Sequence, residues 1–133
     1  MTNGTVIDTS IWVNYLSQSN FEQVFITNEI IDSKKLFVLP VIFQEILQGI
    51  NDDLLFEKIK YNFLAFKSVK YDNYVASLEA AKLYRFLRKK GVTIRKPNDC
   101  LIGYICLELN LSLYHCDKDF DNIAKHTSLK IYK

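Results

Sequence analysis

Residues 5–16 have the sequence TVIDTSIWVNYL, and this stretch decides the fold. The β-branched run from Thr5 to Ile7 predicts a short strand, because such side chains fit a pleated, half-buried surface. The run stops at Asp8, and the side-chain oxygens of Thr9 and Ser10 are suited to cap the free N–H groups of a helix. The chain therefore opens with a strand followed directly by a helix.

The same alternation continues along the chain. Apolar runs predict further strands at 36–39, 111–115 and 129–132. Predicted helices cover 21–31, the segment from Pro40 to about Gly49, the apolar stripes Leu55–Phe66 and Ala76–Leu87, a segment that begins after Pro97-Asn98 and includes Leu109, and 120–126. Strands that alternate with helices predict a three-layer α/β/α fold with a mainly parallel central sheet, in a single domain over residues 1–133.

Four acidic residues lie at boundaries between these elements. Asp8 and Asp117 each follow a predicted strand, and Asp99 lies in the first turn of a helix. Glu45 lies in a helix that comes directly after a strand. Sites in parallel sheets form outside the carboxyl ends of the strands, so these four carboxylates are expected to converge.

A cluster of carboxylates favours Mg²⁺ or Mn²⁺ as its partner. Crowded carboxylates repel one another and need either protons or a cation, and these hard ions prefer oxygen ligands. His115 and His126 are in no spacing typical of zinc, and each is interpreted as an ordinary histidine. Ions of this kind activate water and neutralise charge on a phosphate. The pattern therefore favours phosphodiester hydrolysis.

Four motifs carry a resemblance to a known family: TVIDTSIWVNYL at 5–16, QEILQG at 44–49, NDCLIGYI at 98–105 and HCDKDFDNIA at 115–124. In this order and with these gaps, the chain resembles PIN-domain ribonucleases over essentially its whole length. Its size is similar to that of VapC-type toxins of type II toxin–antitoxin systems. One departure is that the family usually has Thr, Ser or Asn just before the fourth acid, where this chain has His115 and Cys116.

The resemblance implies a metal-dependent endoribonuclease with an RNA substrate. It implies that the catalytic, metal-binding acids are Asp8, Glu45, Asp99 and Asp117, with Mg²⁺ or Mn²⁺ as cofactor. It assigns supporting roles to Asp119 and to a hydroxyl, of Thr9 or Ser10, that orients the first aspartate. It also implies a homodimer and a VapB-type antitoxin whose C-terminal segment covers the active site.

Half of the twelve residues from Arg85 to Lys96 are Lys or Arg. A solvated helix end is the ordinary interpretation, since cations are favourable near a helix C-terminus. The run nevertheless leads directly into Asp99. Because phosphate contacts dominate the affinity for RNA, we predict that Arg95 or Lys96 contacts the substrate.

Composition sets limits on these interpretations. The net charge is only +2, so no strong overall field marks a nucleic-acid partner. The longest apolar run, Leu36 to Phe43, is far shorter than the roughly 20 residues that a membrane helix needs. Three cysteines without a CxxC motif predict a reduced, cytoplasmic protein, in which Cys100 and Cys106 are small buried hydrophobes.

Two other classes of function remain open. A PIN-fold module that binds RNA or protein without catalysis would keep the fold, and metal binding would separate it from an enzyme. A phosphatase of the aspartyl-phosphate type also has an aspartate after its first strand. That chemistry needs a second aspartate two residues later, and this position is Ser10.

Overall fold

A four-stranded parallel sheet forms the centre of the molecule in the computed structural model, which describes all 133 residues. The strands are β1 (Gly4–Ile7), β2 (Leu36–Val38), β3 (Lys67–Ser68) and β4 (Leu111–Tyr114), in the spatial order β3-β2-β1-β4. Every neighbouring pair is parallel. The predicted α/β fold class with a parallel central sheet is confirmed.

Seven helices connect and flank the strands. They are α1 (Thr9–Ser17), α2 (Phe21–Asp32), α3 (Pro40–Gln48), α4 (Asp53–Leu64), α5 (Asn73–Lys89), α6 (Pro97–Glu108) and α7 (Lys118–His126). Pro40 and Pro97 occupy the first turns of α3 and α6, where a missing N–H costs nothing. None of the seven is both long and apolar enough to cross a bilayer.

The strands at the two edges of the sheet differ from those predicted. The prediction of a strand at 129–132 is wrong, because this segment makes one parallel bridge, between Ile131 and Leu113. In contrast, the two residues of β3 pair with Phe37 and Val38 at the opposite edge. Two exposed residues are too few to show the alternation that identifies a strand, so only the neighbouring strand defines β3.

Packing of α1 against the sheet brings the first strand and its helix into the core. Ile7, Ile11 and Trp12 are almost completely buried, and the Trp12 ring lies 4.7 Å from that of Phe63 in α4. Burying each such side chain contributes about 1.5–3 kcal/mol. Cys100 and Cys106 also lie in this core.

The two central strands end side by side. β1 and β4 pair in register from Gly4 with Leu111 to Ile7 with Tyr114. The ladder continues one bond further, because the Asp8 N–H donates to the Tyr114 carbonyl at 2.9 Å. Whatever follows β1 and β4 in sequence is therefore brought together at one edge of the sheet.

Candidate active site

Asp8 and Asp117 follow the two central strands, and each caps the next helix. Asp8 Oδ2 accepts a hydrogen bond from the Ser10 N–H at 3.1 Å, and Asp117 Oδ1 accepts one from the Asp119 N–H at 3.0 Å. A cap fixes the side-chain direction and uses one carboxylate oxygen. Capping therefore leaves the second oxygen of each aspartate for another partner.

Asp99 lies in the first turn of α6 and is 4% exposed. Its Oδ2 is buried and has no hydrogen-bond partner. Burial, together with the negative charges of Asp8 and Asp117, raises the pKa of Asp99 to about 7. A buried polar atom without a partner is costly, so Asp99 requires either a proton or a cation.

Glu45 faces the same region from α3. Thr9 Oγ1 donates a hydrogen bond to Glu45 Oε1 at 2.7 Å, which fixes the direction of that carboxylate. A cavity of about 380 Å³ is lined by residues that include Asp8, Thr9, Glu45, Lys96 and Asp99. A larger depression of about 730 Å³ is lined only by residues of α7, so it is the open surface of one helix. The structure thus places three of the four predicted acids around one cavity.

Asp117, the fourth predicted acid, lies close to Asp99 and Asp119. One oxygen each of Asp99, Asp117 and Asp119 lie within 4.8 Å of one another. Asp119 is almost completely buried, and its Oδ2 accepts a hydrogen bond from the Arg95 N–H at 3.1 Å. Asp99 therefore links the cavity side of the site with a second pair of carboxylates.

The predicted cations lie at this second pair. The Arg95 guanidinium is 3.7 Å from oxygens of both Asp117 and Asp119, and Lys96 Nζ is 3.5 Å from Asp117 Oδ2. Burial works against the charged form of Lys96, but the carboxylates of Asp117 and Asp99 outweigh it and raise its pKa. Both side chains are about two-thirds exposed, so they are free to exchange these partners for others.

A hard divalent cation fits the atoms that converge here. All the converging ligands are carboxylate oxygens, the class that Mg²⁺ and Mn²⁺ prefer. The unpartnered Oδ2 of Asp99 is the strongest single indication, since a cation would satisfy it. The residues that could hold an ion are Asp8, Asp99 and Asp117, with Glu45 and Asp119 beside them.

Several contacts at the site were not anticipated from the sequence. The Thr9 hydroxyl contacts Glu45, 36 residues away, whereas Ser10 Oγ accepts the Cys116 N–H at 3.2 Å. His115 Nδ1 accepts the Asp117 N–H at 3.0 Å, and burial lowers the pKa of this histidine. The only sequence signal for the last contact is the spacing of two residues between His115 and Asp117.

The model of the PIN domain matches residues 5–126 of this chain. The chain therefore belongs to the PIN-domain family. Among characterised relatives, the VapC ribonuclease Mb1587 of Mycobacterium bovis and the ribonuclease VapC11 of Mycobacterium tuberculosis are each 30% identical to it over 127 residues. Each alignment covers 94% of this chain and 95% of the relative, so the similarity extends over nearly the whole length of both proteins.

Solved structures share the fold at lower identity. The chain matches VapBC2 from Rickettsia felis, solved with a DNA fragment from their promoter, with a TM-score of 0.74 and 16% identity. It matches VapBC-1 from nontypeable Haemophilus influenzae with a TM-score of 0.73 and 19% identity. Each match covers at least 96% of both chains. These structures support the same arrangement of strands and helices over nearly the whole chain.

Proposed function

We propose that the protein is a metal-dependent endoribonuclease that hydrolyses RNA phosphodiester bonds, and that it is the toxin of a VapBC-type toxin–antitoxin pair. The observation that carries the proposal is the buried, unpartnered Oδ2 of Asp99, set among Asp8 and Asp117 at the carboxyl ends of β1 and β4. The ribonuclease names of the 30% identical relatives support the choice of RNA as substrate.

The acids have distinct tasks in this proposal. Asp8, Asp99 and Asp117 hold Mg²⁺ or Mn²⁺, and Glu45, oriented by Thr9, completes the site from α3. When bound, such an ion supplies the charge that polarises a phosphate oxygen and makes a water more acidic. Asp119 supports the site by holding the backbone N–H of Arg95, which fixes the loop before α6.

Arg95 and Lys96 are the proposed contacts to the RNA backbone. Both project from the loop that leads into Asp99, and both are now paired with carboxylates at 3.5–3.7 Å. Carboxylates that hold a divalent ion would no longer need Arg95 and Lys96 to balance their charge, and the two side chains would then be available to bind phosphate. The chain would therefore use the same two side chains to balance its charge when free and to bind substrate when loaded.

A VapB-type antitoxin is the proposed protein partner. A cavity of about 370 Å³ lies between α1, α3 and the start of α4 and is lined by apolar side chains such as Leu16, Ile46 and Leu55. Val13 and Glu45 line both this cavity and the acidic one, so the two cavities adjoin. An antitoxin segment lying in this groove would cover the active site. We expect the protein and its antitoxin to meet in the cytoplasm.

A homodimer is part of the same proposal. Large apolar side chains are exposed on two helices, among them Tyr61 and Leu64 on α4 and Tyr74 and Leu78 on α5. Exposed apolar surface of this kind favours burial against another protein surface. A second copy of the chain is the partner we expect there.

Cleavage of total and defined RNAs by the purified protein tests the enzyme directly, with Mg²⁺, Mn²⁺ or EDTA. We expect cutting that requires the metal and is abolished in Asp99→Asn. Asp53→Asn is the matched control, because Asp53 is also an acid in the first turn of a helix but is exposed and outside the site. Cutting by Asp99→Asn at the wild-type rate would refute the site.

The same experiment separates the enzyme from a binding module without catalysis. A module of that kind would neither cut RNA nor bind Mn²⁺. A folded protein that binds Mn²⁺ but cuts none of the RNAs would instead indicate a selective substrate. Metal titration therefore accompanies each cleavage assay.

A further inference from the structure

His115 lies between the end of β4 and the start of α7, and its side chain is 4% exposed. Its ring packs against Phe120, with the two ring centroids 5.1 Å apart. Its Nδ1 accepts a hydrogen bond from the Asp117 N–H at 3.0 Å. The imidazole therefore closes a tight turn whose far end is the residue that carries the carboxylate of the site.

The backbone N–H groups in this turn have no backbone carbonyl to donate to. β4 ends at Tyr114, so the N–H groups of Cys116 and Asp117 have no strand partner. Side chains satisfy both of them: Ser10 Oγ accepts the first at 3.2 Å, and His115 Nδ1 accepts the second. These two side-chain hydrogen bonds hold the chain on its path into α7.

The hydrogen bond also specifies the form of the histidine. An Nδ1 atom that accepts must carry no hydrogen, so the proton of the neutral ring is on Nε2. Nε2 is buried, has no hydrogen-bond partner and lies 3.5 Å from Asp121 Oδ1. The ring is thus held by its packing on Phe120 and by its one bond to the backbone.

We propose that His115 is a positioning residue, whose Nδ1 lone pair holds the Asp117 N–H and so directs the Asp117 carboxylate towards Asp99 and Asp119. This inference rests on the proposed function, since the direction of Asp117 matters only if the acidic site binds metal. It assigns to His115 neither contact with the metal nor transfer of a proton. Its task is to fix the turn from which the ligand projects.

Two substitutions separate the effect of the hydrogen-bond acceptor from the effect of the packed ring. His115→Phe keeps an aromatic ring against Phe120 and removes the acceptor. His115→Asn loses the ring but keeps an oxygen that accepts the N–H two residues on, as asparagine does in turns. His126→Asn is the matched control, because that histidine is exposed in the last turn of α7.

The measurements are Mn²⁺ affinity by titration calorimetry, RNA cleavage and the thermal midpoint of each variant. We expect His115→Phe to weaken Mn²⁺ binding by about 10- to 100-fold, the usual cost of removing a group that orients a ligand. We expect His115→Asn to bind Mn²⁺ within a few-fold of wild type although its midpoint falls. A role in packing alone predicts the reverse order, and wild-type affinity in His115→Phe would overturn the proposal.

Nitrogen NMR of the metal-free wild type gives a result that does not depend on function. We expect His115 in the neutral form with its proton on Nε2, and a proton on Nδ1 would overturn the hydrogen bond and the inference with it. A wild type that shows this form and neither binds Mn²⁺ nor cleaves RNA would refute the proposed function instead. The two failures are therefore distinguishable.

Discussion

The two halves of the acidic site neutralise their charge in different ways. On the cavity side, Asp8 accepts a hydrogen bond from Ser10 and Glu45 accepts one from Thr9, whereas Asp99 Oδ2 has no partner, and none of the three acids forms an ion pair. On the opposite side, Asp117 and Asp119 are paired with Arg95 and Lys96. From this difference, we expect an added cation to bind most favourably to the carboxylates that have no ion pair.

Burial has its greatest effect on the half without ion pairs, although Lys96 also lines the cavity there. It raises the pKa of Asp8 against the hydrogen bonds from Ser10 and Thr9, and it raises the pKa of Asp99 to about 7. Removing charge from a buried group without a partner relieves a large penalty. We therefore expect the cavity side to dominate metal binding, and the side with cations to govern contact with RNA.

The largest expected effect comes from removing one acid from each half. Asp8→Asn should reduce cleavage by about 10³-fold or more, because it deletes a metal ligand from the half without ion pairs. Asp119→Asn should reduce cleavage by only about tenfold, since its main bond is to the Arg95 N–H and an amide oxygen also accepts it. Single-turnover cleavage with Mn²⁺ measures both, and equal losses would show that the two halves act alike.

The next effect is on the stability of the metal-free protein. Asp99 has a pKa of about 7 when folded and an ordinary value of 3.8 when unfolded. Between these values the folded state binds more protons, so the free energy of unfolding falls as pH rises from about 4 to about 7. We expect this free energy to fall by at most about 1.4 kcal/mol per pH unit. Urea denaturation in EDTA at a series of pH values measures the fall.

Asp99→Asn should lack this part of the pH dependence and be more stable than wild type near pH 8. Asp53→Asn, in which the exposed first-turn acid of α4 is changed, should follow the wild-type curve. Mn²⁺ should stabilise the wild type most at high pH, where Asp99 is charged. Parallel curves for wild type and Asp99→Asn would contradict the raised pKa.

The smallest effect concerns the half that carries its own cations. Replacing Arg95 and Lys96 by Ala should weaken the binding of an uncleavable RNA analogue to the Mn²⁺-loaded protein and flatten its dependence on salt. The slope of log affinity against log salt should fall by about 0.7 for each phosphate of a single strand that the variant no longer neutralises. Lys89→Ala with Lys90→Ala is the control, and an unchanged slope in the Arg95/Lys96 variant would remove their substrate role.

Local patterns of residues are enough to predict most of the order of strands and helices and the place of each acid in that order. Short-range rules are sufficient for this. Thr5 to Ile7 form a strand because of β-branching. The helix after it was also predicted, but its cap is the Asp8 carboxylate and not the predicted oxygens of Thr9 and Ser10, which lie inside α1. The pattern predicted that Asp8 and Asp117 share one edge if the sheet is parallel, and β1 and β4 are parallel neighbours.

Only the tertiary structure decided which groups meet. The Thr9 hydroxyl had equal reason to orient Asp8, yet it bonds to Glu45 because α1 and α3 pack side by side. β3 exists only because an edge of β2 is available to two residues, and 129–132 is reduced to a bridge beside β4. Contacts of this kind depend on distances between elements, and no local pattern of residues contains those distances.

The same reason explains the charges and the turn at His115. Arg95 and Lys96 follow from the sequence as a basic run beside Asp99, but their pairing with Asp117 and Asp119 requires the loop before α6 to lie against α7. The bond from the Asp117 N–H to His115 requires one side-chain rotamer in a buried position. Local sequence thus fixed where the functional groups lie along the chain, and packing fixed their partners.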